Sequence, residues 1–221
     1  MAGRNLSGVI YDQLATRINT WIYPPGHRLI EDAISTEFGV SRSPVREALN
    51  MLVEAALIEK EECKGYLVRR MDMRNINELY DTRLVLELAI IDLICANGMD
   101  ESIRSSLEKR WQELLNALPA MAKEAAMEDE QFHEAIAEAG GNRVIRQLLS
   151  DIDRRIHFVR LSDITDPERL KTTCVDHLEI LDALGQKDRT RAADAIRRNI
   201  EWGRQRVAAA LREALAKVYG V

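Results

Sequence analysis

Gly39-Val40-Ser41-Arg42-Ser43-Pro44-Val45-Arg46-Glu47-Ala48-Leu49 reads as a tight turn that launches a helix. Gly39 suits the turn because it takes backbone angles that other residues resist. Ser41 or Ser43 can cap the new helix, and Pro44 fits its first turn, where no amide donor is needed. Arg42 and Arg46 stand four apart and share a helical face. Ala48, Leu49, Leu52 and Val53 supply the apolar stripe behind them. A helix that shows arginines and serines at its N-terminal end, and packs by its other face, suits a DNA groove.

The flanks extend this reading. Leu6, Ile10, Leu14, Ile18 and Trp21 recur at three- to four-residue steps and predict a first helix, which Tyr23-Pro24-Pro25-Gly26 ends. His27 falls in the turn before a short second helix, Glu31 to Phe38. After the third helix, Leu57-Ile58-Glu59-Lys60-Glu61 and Gly65-Tyr66-Leu67-Val68-Arg69 predict a hairpin around Lys64-Gly65, its first strand heavily charged. Three helices plus a hairpin make a winged helix-turn-helix over residues 1–70.

Pro25-Gly26, the stretch from Gly39 to Leu49, and Gly65-Tyr66-Leu67-Val68 resemble the DNA-binding domain of the GntR family of bacterial transcription regulators. The resemblance implies that Ser41, Arg42, Ser43 and Arg46 touch DNA, with Gly65 at the wing tip near the minor groove. Two positions depart from the family pattern. Asp32 stands where some relatives carry an arginine for phosphate, and Ala55-Ala56 stands where Glu-Gly is usual. Neither departure is expected to touch the recognition helix. Either arginine alone would read as a solvated surface charge, but four matching positions in one frame favour contact with DNA.

Charge is divided unevenly along the 221 residues. The net charge is -5, yet residues 1–74 carry ten basic and ten acidic side chains, so the remainder holds the whole deficit. A neutral DNA-binding half can still bind if its basic residues face one way, because affinity follows local phosphate contacts. Cys63, Cys95 and Cys174 are far apart, without zinc-knuckle spacing. An odd cysteine count and no signal-like start fit a bacterial cytoplasm. No run of about twenty apolar residues suggests a membrane span.

Beyond the charged junction Arg69-Arg70-Met71-Asp72-Met73-Arg74, residues 71–221 read as a second domain. Six helical patterns, near 73–97, 100–118, 120–139, 142–163, 167–185 and 188–219, are separated by Gly98, Pro119, Gly140-Gly141, Asp166-Pro167 and Gly185. Short loops make this an antiparallel six-helix bundle, and the whole chain mainly α. Polar residues sit where apolar ones belong. Asp129 and His133 share a stripe with Ala122, Ala126 and Ile136; His177 lies among Leu170, Cys174, Leu181 and Leu184; Asn199 lies among Ile196, Ile200, Gly203 and Val207. Burying them unpaired costs several kcal/mol. They need each other, water or an ion, and Asp with neutral His suits a divalent metal. A hydrogen-bonded core without metal satisfies the same stripes.

Asp129-Glu130-Gln131-Phe132-His133, Gly141-Asn142, and Asp176-His177 followed by Ala183-Leu184 resemble the FCD domain, the FadR-type effector domain, in its six-helix VanR-like branch. The resemblance implies a metal held by one aspartate and three histidines. Asp129, His133 and His177 match three of these, and Asn199 stands where the third histidine is expected. An amide oxygen is a harder and weaker donor than imidazole, so the site is expected to be less zinc-selective; zinc remains the first expectation, with nickel or manganese as alternatives. The resemblance also places Arg83 near a ligand cavity, where it could bind a small carboxylate effector bidentately. Arg83 and Glu87, four apart, could equally pair with each other. Asn142 and Arg155 are further candidates for the cavity, and His157 reads as a surface residue without a partner.

Together these readings specify a homodimeric, metal-containing regulator, a repressor that leaves a palindromic operator when a carboxylate binds. The short junction would carry that change to the winged helices. One alternative keeps the regulator with a purely organic effector pocket. The other is a metal-dependent hydrolase with a DNA-binding appendage, which needs an acid or base beside the metal-bound water. Glu130 turns about 100° away from Asp129 on a helix, and no other pattern supplies a catalytic group.

Overall fold

The first unit is built around apolar residues spaced for helices. In the computed structural model, which describes residues 6–61, 65–69, 73–119, 122–163 and 167–219, the chain divides into two units, Met1–Asp72 and Met73–Val221. Helix α1 (Leu6–Asn19) buries Ile10, Leu14 and Ile18. Trp21 is not part of it: the residue lies past the helix end with φ 59°, so its place in the periodic pattern was coincidental. Strand β1 (Arg28–Leu29) then leads into α2 (Glu31–Phe38). Gly39 stops α2 in the left-handed region, φ 64°, and its amide reaches the carbonyls of Ser35 and Thr36.

Helix α3 (Arg42–Glu54) buries Val45, Ala48, Leu49 and Leu52, with Val53 only partly covered. Ser41 occupies the N-cap position, but its side chain makes no capping hydrogen bond. Strands β2 (Ile58–Glu61) and β3 (Gly65–Val68) form the wing hairpin, and β1 adds a third strand in the order β1-β3-β2. Leu29 pairs with Tyr66, and Ile58 with Val68. The central strand β3 buries Tyr66, Leu67 and Val68, whereas the edge strand β2 buries only Ile58. An edge strand tolerates Glu59 and Lys60 because one side faces water. One core joins Ile10, Leu14, Leu29, Ile34, Val45, Leu49, Leu52, Ile58, Tyr66 and Val68, each large aliphatic contributing roughly 1.5–3 kcal/mol of burial.

The approach to the wing bends at Ala56, which takes φ 56°. A β-carbon crowds that left-handed conformation, at a cost of about 1–2 kcal/mol. The position at which the family resemblance leads to the expectation of glycine thus takes a left-handed conformation with an alanine.

The second unit contains six helices among the described residues: α4 (Met73–Asn97), α5 (Glu101–Asn116), α6 (Ala122–Ala139), α7 (Arg143–Asp163), α8 (Pro167–Gly185) and α9 (Arg189–Tyr219). Asp100 caps α5 by accepting from the amides of Ser102 and Ile103. Helix α8 packs on α9 and α5, α4 on α9 and α7, and α6 on α7. Ile90, Ile94, Trp111, Phe132, Ile136, Ile180 and Ile196 lie within this core. Gly140 lets the end of α6 approach α4, since a Cβ there would stand 2.6 Å from Ile90 Cδ1. No helix among the described residues is long and apolar enough to cross a membrane.

Candidate nucleic-acid interface and metal centre

The apolar stripe of α3 faces the core, so its first turn is turned outward: Ser41, Arg42, Ser43 and Arg46 are all exposed. Both arginines are paired with carboxylates of α2. Arg42 donates from Nη2 to Asp32 Oδ2 at 2.9 Å, and its Nε lies 2.6 Å from Oδ1 in the same ion pair. Arg46 donates from Nε to Glu31 Oε1 at 3.0 Å and from Nη2 to Oε2 at 2.8 Å. The hydrogen bond from Arg46 holds the Glu31 carboxyl below its usual range. Asp32 therefore does reach the recognition helix, contrary to expectation. The i-to-j separation of ten residues hid this, because a turn at Gly39 folds α3 back beside α2.

Gly65 opens β3 with φ 88°, and a Cβ there would stand 3.1 Å from the Leu29 carbonyl. Both the backbone angle and the close approach of β1 require glycine. Lys64, expected beside it in the hairpin turn, lies outside the described residues.

In the second unit, α6 and α8 bring three candidate ligands together. Asp129, His133 and His177 are buried, and one ligand atom from each lies within 4.8 Å of the others. Asp129 Oδ1 is 3.5 Å from His177 Nε2 and 3.8 Å from His133 Nε2. Two ligands at 2.0–2.2 Å from one tetrahedral ion stand about 3.4 Å apart. Among the described residues, His133 Nε2 and both ring nitrogens of His177 have no hydrogen-bond partner. Phe132 stacks on the His177 ring at 3.7 Å between centroids, and Trp111 meets it edge-on at 4.1 Å. Burial pushes the His177 pKa well below its ordinary value, leaving the neutral imidazole that a metal requires. Burial of the Cys174 thiol, one turn away, raises its pKa to about 11, so it offers no thiolate.

His133 is held from behind. Its Nδ1 lies 2.8 Å from Glu87 Oε2, and Glu87 Oε1 accepts from Arg83 Nε at 2.7 Å. Burial opposes ionisation of Glu87, but the interactions with His133 and Arg83 outweigh it and hold the carboxyl at about 2. A carboxylate on Nδ1 directs Nε2 toward Asp129 as the ligating nitrogen. Asn199 is buried too, and its amide nitrogen has no partner. The donor set and these orphaned atoms fit a divalent ion.

Comparison with known proteins agrees with both units. The FCD domain model matches residues 78–201, and the model of bacterial regulatory proteins of the gntR family matches residues 6–68. The chain belongs to the GntR family of transcription regulators and carries an FCD domain. This regulator is 28% identical over 184 residues to an uncharacterized HTH-type transcriptional regulator, YdhC, of Bacillus subtilis strain 168, covering 82% of each chain. It is 29% identical to the gluconate operon transcriptional repressor of the same organism, covering 86% of this chain and 79% of that one. A solved structure of a GntR regulator from Rhodococcus sp. RHA1 has a TM-score of 0.70 at 25% identity, covering 92% and 98% of the two chains. The regulator binds DNA and is not an enzyme, as its family and relatives are transcription regulators.

The remaining expected residues of the regulator are scattered. Arg83 is committed to Glu87 and lies 3.8 Å from Asp153, although its buried Nη2 has no hydrogen-bond partner. Asn142 is exposed and caps α7, accepting from the amides of Val144 and Ile145. Arg155 donates to the exposed Asn75 on α4 at 3.0 Å. His157 is half-buried and bonds Glu130, which corrects its reading as a surface residue without a partner. Sequence reasoning missed Glu87 as the partner of His133 and also missed Arg169, buried on α8 with its guanidinium 5.7 Å from the Trp202 ring centre. Arg169, Thr173 and Asp176 recur at helical spacing, a polar stripe that could have drawn notice.

Proposed function

We propose that this regulator is a homodimeric repressor whose FCD core holds a divalent ion and which leaves a palindromic operator when a small carboxylate binds in that core. The observation that carries the reading is the buried Asp129–His133–His177 cluster with three unpartnered ring nitrogens. Asn199 is the fourth partner, directly or through water. Zinc suits the imidazoles best, and the amide oxygen leaves room for nickel or manganese. An ion held by three or four protein ligands supplies Lewis-acid positions to which a carboxylate oxygen can bind. Arg83 contributes a donor through Nη2. Asn142 and Arg155 are left out of this site.

Ser41, Arg42, Ser43, Arg46 and Gly65 form the DNA side of the proposal. A two-fold dimer matches a palindromic site. The similarity to a repressor of the gluconate operon favours repression and an organic-acid effector. Release requires that the effector bind the DNA-free arrangement more tightly, and the coupling is reciprocal. A duplex selected from a random library by the full-length protein serves as the operator. Small di- and hydroxycarboxylates should weaken its binding and raise the melting temperature of zinc-loaded protein. Arg83→Lys, which keeps the charge beside Glu87 but lacks the second arm, should blunt both effects. If only uncharged metabolites release the duplex, the carboxylate reading is wrong. Elemental analysis that finds no metal in protein purified without chelator, and none after incubation with zinc, returns the core to an organic pocket.

A further inference from the structure

The two arginines of the recognition helix are held alike. Each presents its Nε and Nη2 edge to a carboxylate of α2, Arg42 to Asp32 and Arg46 to Glu31. Neither pair uses Nη1. The end-on edge formed by Nη1 and Nη2 thus remains for a further pair of acceptors on each guanidinium. Guanine O6 and N7 are such a pair, the commonest target of arginine in the major groove.

Charge supports the same conclusion. With Asp32 and Glu31 beside them, the two arginines add no net charge to the surface that meets DNA. Non-specific affinity comes almost entirely from phosphate neutralisation, so this surface is weakened for any duplex and kept for one whose bases match. A long side chain held at two points also loses less conformational freedom on binding than a free one. Asp32 and Arg42 are 60% and 66% exposed, and Arg46 is 58% exposed. The clamps are therefore at the surface DNA would meet. Glu31, 23% exposed, is the more firmly seated of the two carboxylates.

We infer that Asp32 and Glu31 are specificity-determining residues, which clamp Arg42 and Arg46 side-on so that their end-on edges read two guanines of each half-site. The inference rests on the proposed DNA contacts of Arg42 and Arg46. It goes beyond them by assigning what the arginines read and what aims them.

The test uses the full-length protein, a duplex selected from a random library, and a scrambled duplex of the same length and composition. Asp32→Asn with Glu31→Gln keeps both shapes and removes both charges. Affinity for the scrambled duplex should rise several-fold, and the ratio of selected to scrambled affinity should fall about tenfold. Selection repeated with this variant should return sites with weakened guanine preference at two positions per half-site. Unfolding curves of the variant should match wild type. If both affinities rise in parallel and the ratio holds, the carboxylates only repel DNA, and the inference is overturned. An unchanged guanine preference overturns it as well. Arg42→Ala with Arg46→Ala separates the underlying reading: wild-type affinity for the selected duplex in that variant removes the arginine contacts themselves.

Discussion

Two arginine–carboxylate arrangements in this regulator use the same chemistry in opposite surroundings. On the DNA-binding unit, Arg42 and Asp32 are 66% and 60% exposed. In the FCD core, Arg83 and Glu87 are 4% and 5% exposed. Water screens the first pair, so it is worth about 0–1 kcal/mol, and it leaves the end-on edge of Arg42 open to a further partner. The second is sealed, and removing either member strands a charge in a medium that cannot solvate it. One pair is suited to presenting an arginine to a ligand and the other to fixing a geometry. The fixed geometry is that of His133, on which Glu87 also acts.

The largest expected effect breaks the buried arrangement. Glu87→Ala should lower the unfolding free energy by roughly 3–5 kcal/mol, because Arg83 keeps its charge and is left with only the more distant Asp153 at 3.8 Å. Chemical denaturation of metal-free protein measures this without any contribution from an ion. A loss below about 1 kcal/mol would mean that the pair behaves like a surface one.

Metal binding sharpens the buried side of the comparison. At a hundredfold excess over its dissociation constant, zinc should stabilise the protein by about 2.7 kcal/mol. Asp129→Ala with His177→Ala should abolish both uptake and stabilisation, and Asn199→His should tighten zinc, since imidazole suits that ion better than an amide oxygen. Thermal shift with elemental analysis checks each variant.

On the exposed side, Arg42→Ala or Arg46→Ala should each weaken binding to a selected duplex by about 1–3 kcal/mol while the unfolding curve stays in place. Fluorescence anisotropy beside circular dichroism separates the two quantities. A change in stability as large as the change in binding would show that the arginines serve the fold.

The smallest effects concern the DNA-binding unit alone. Ala56→Gly relieves the crowding at φ 56° and should stabilise by about 1 kcal/mol, offset in part by the entropy of glycine in the unfolded chain. Asp32→Ala should change stability by less than about 1 kcal/mol. Both are read from denaturation midpoints.

Local patterns located most elements. The short second helix runs from Glu31 to Phe38, as its turn signals and composition suggest, and the six patterns of the FCD unit correspond to α4 through α9. The two-residue strand β1 left no trace, because its partner β3 lies almost forty residues away and provides its only definition. Trp21 kept helical spacing after the helix had already ended. The candidate metal ligands were legible as polar residues in apolar stripes, whereas the capping role of Asn142 at the start of α7 was not.

What the sequence determined by itself was every feature that depends on neighbours within a turn or two: helix periods, the stop at Gly39, the outward face of α3, and the inward face carrying Asp129 and His133. Hydrophobic spacing is local, so it can be read from the chain. What only the tertiary structure decided was which charges meet. Asp32 against Arg42, Glu31 against Arg46, and Glu87 against His133 are pairings across folded elements. A charged side chain can satisfy many partners with nearly equal energy, and packing alone selects which one lies within reach.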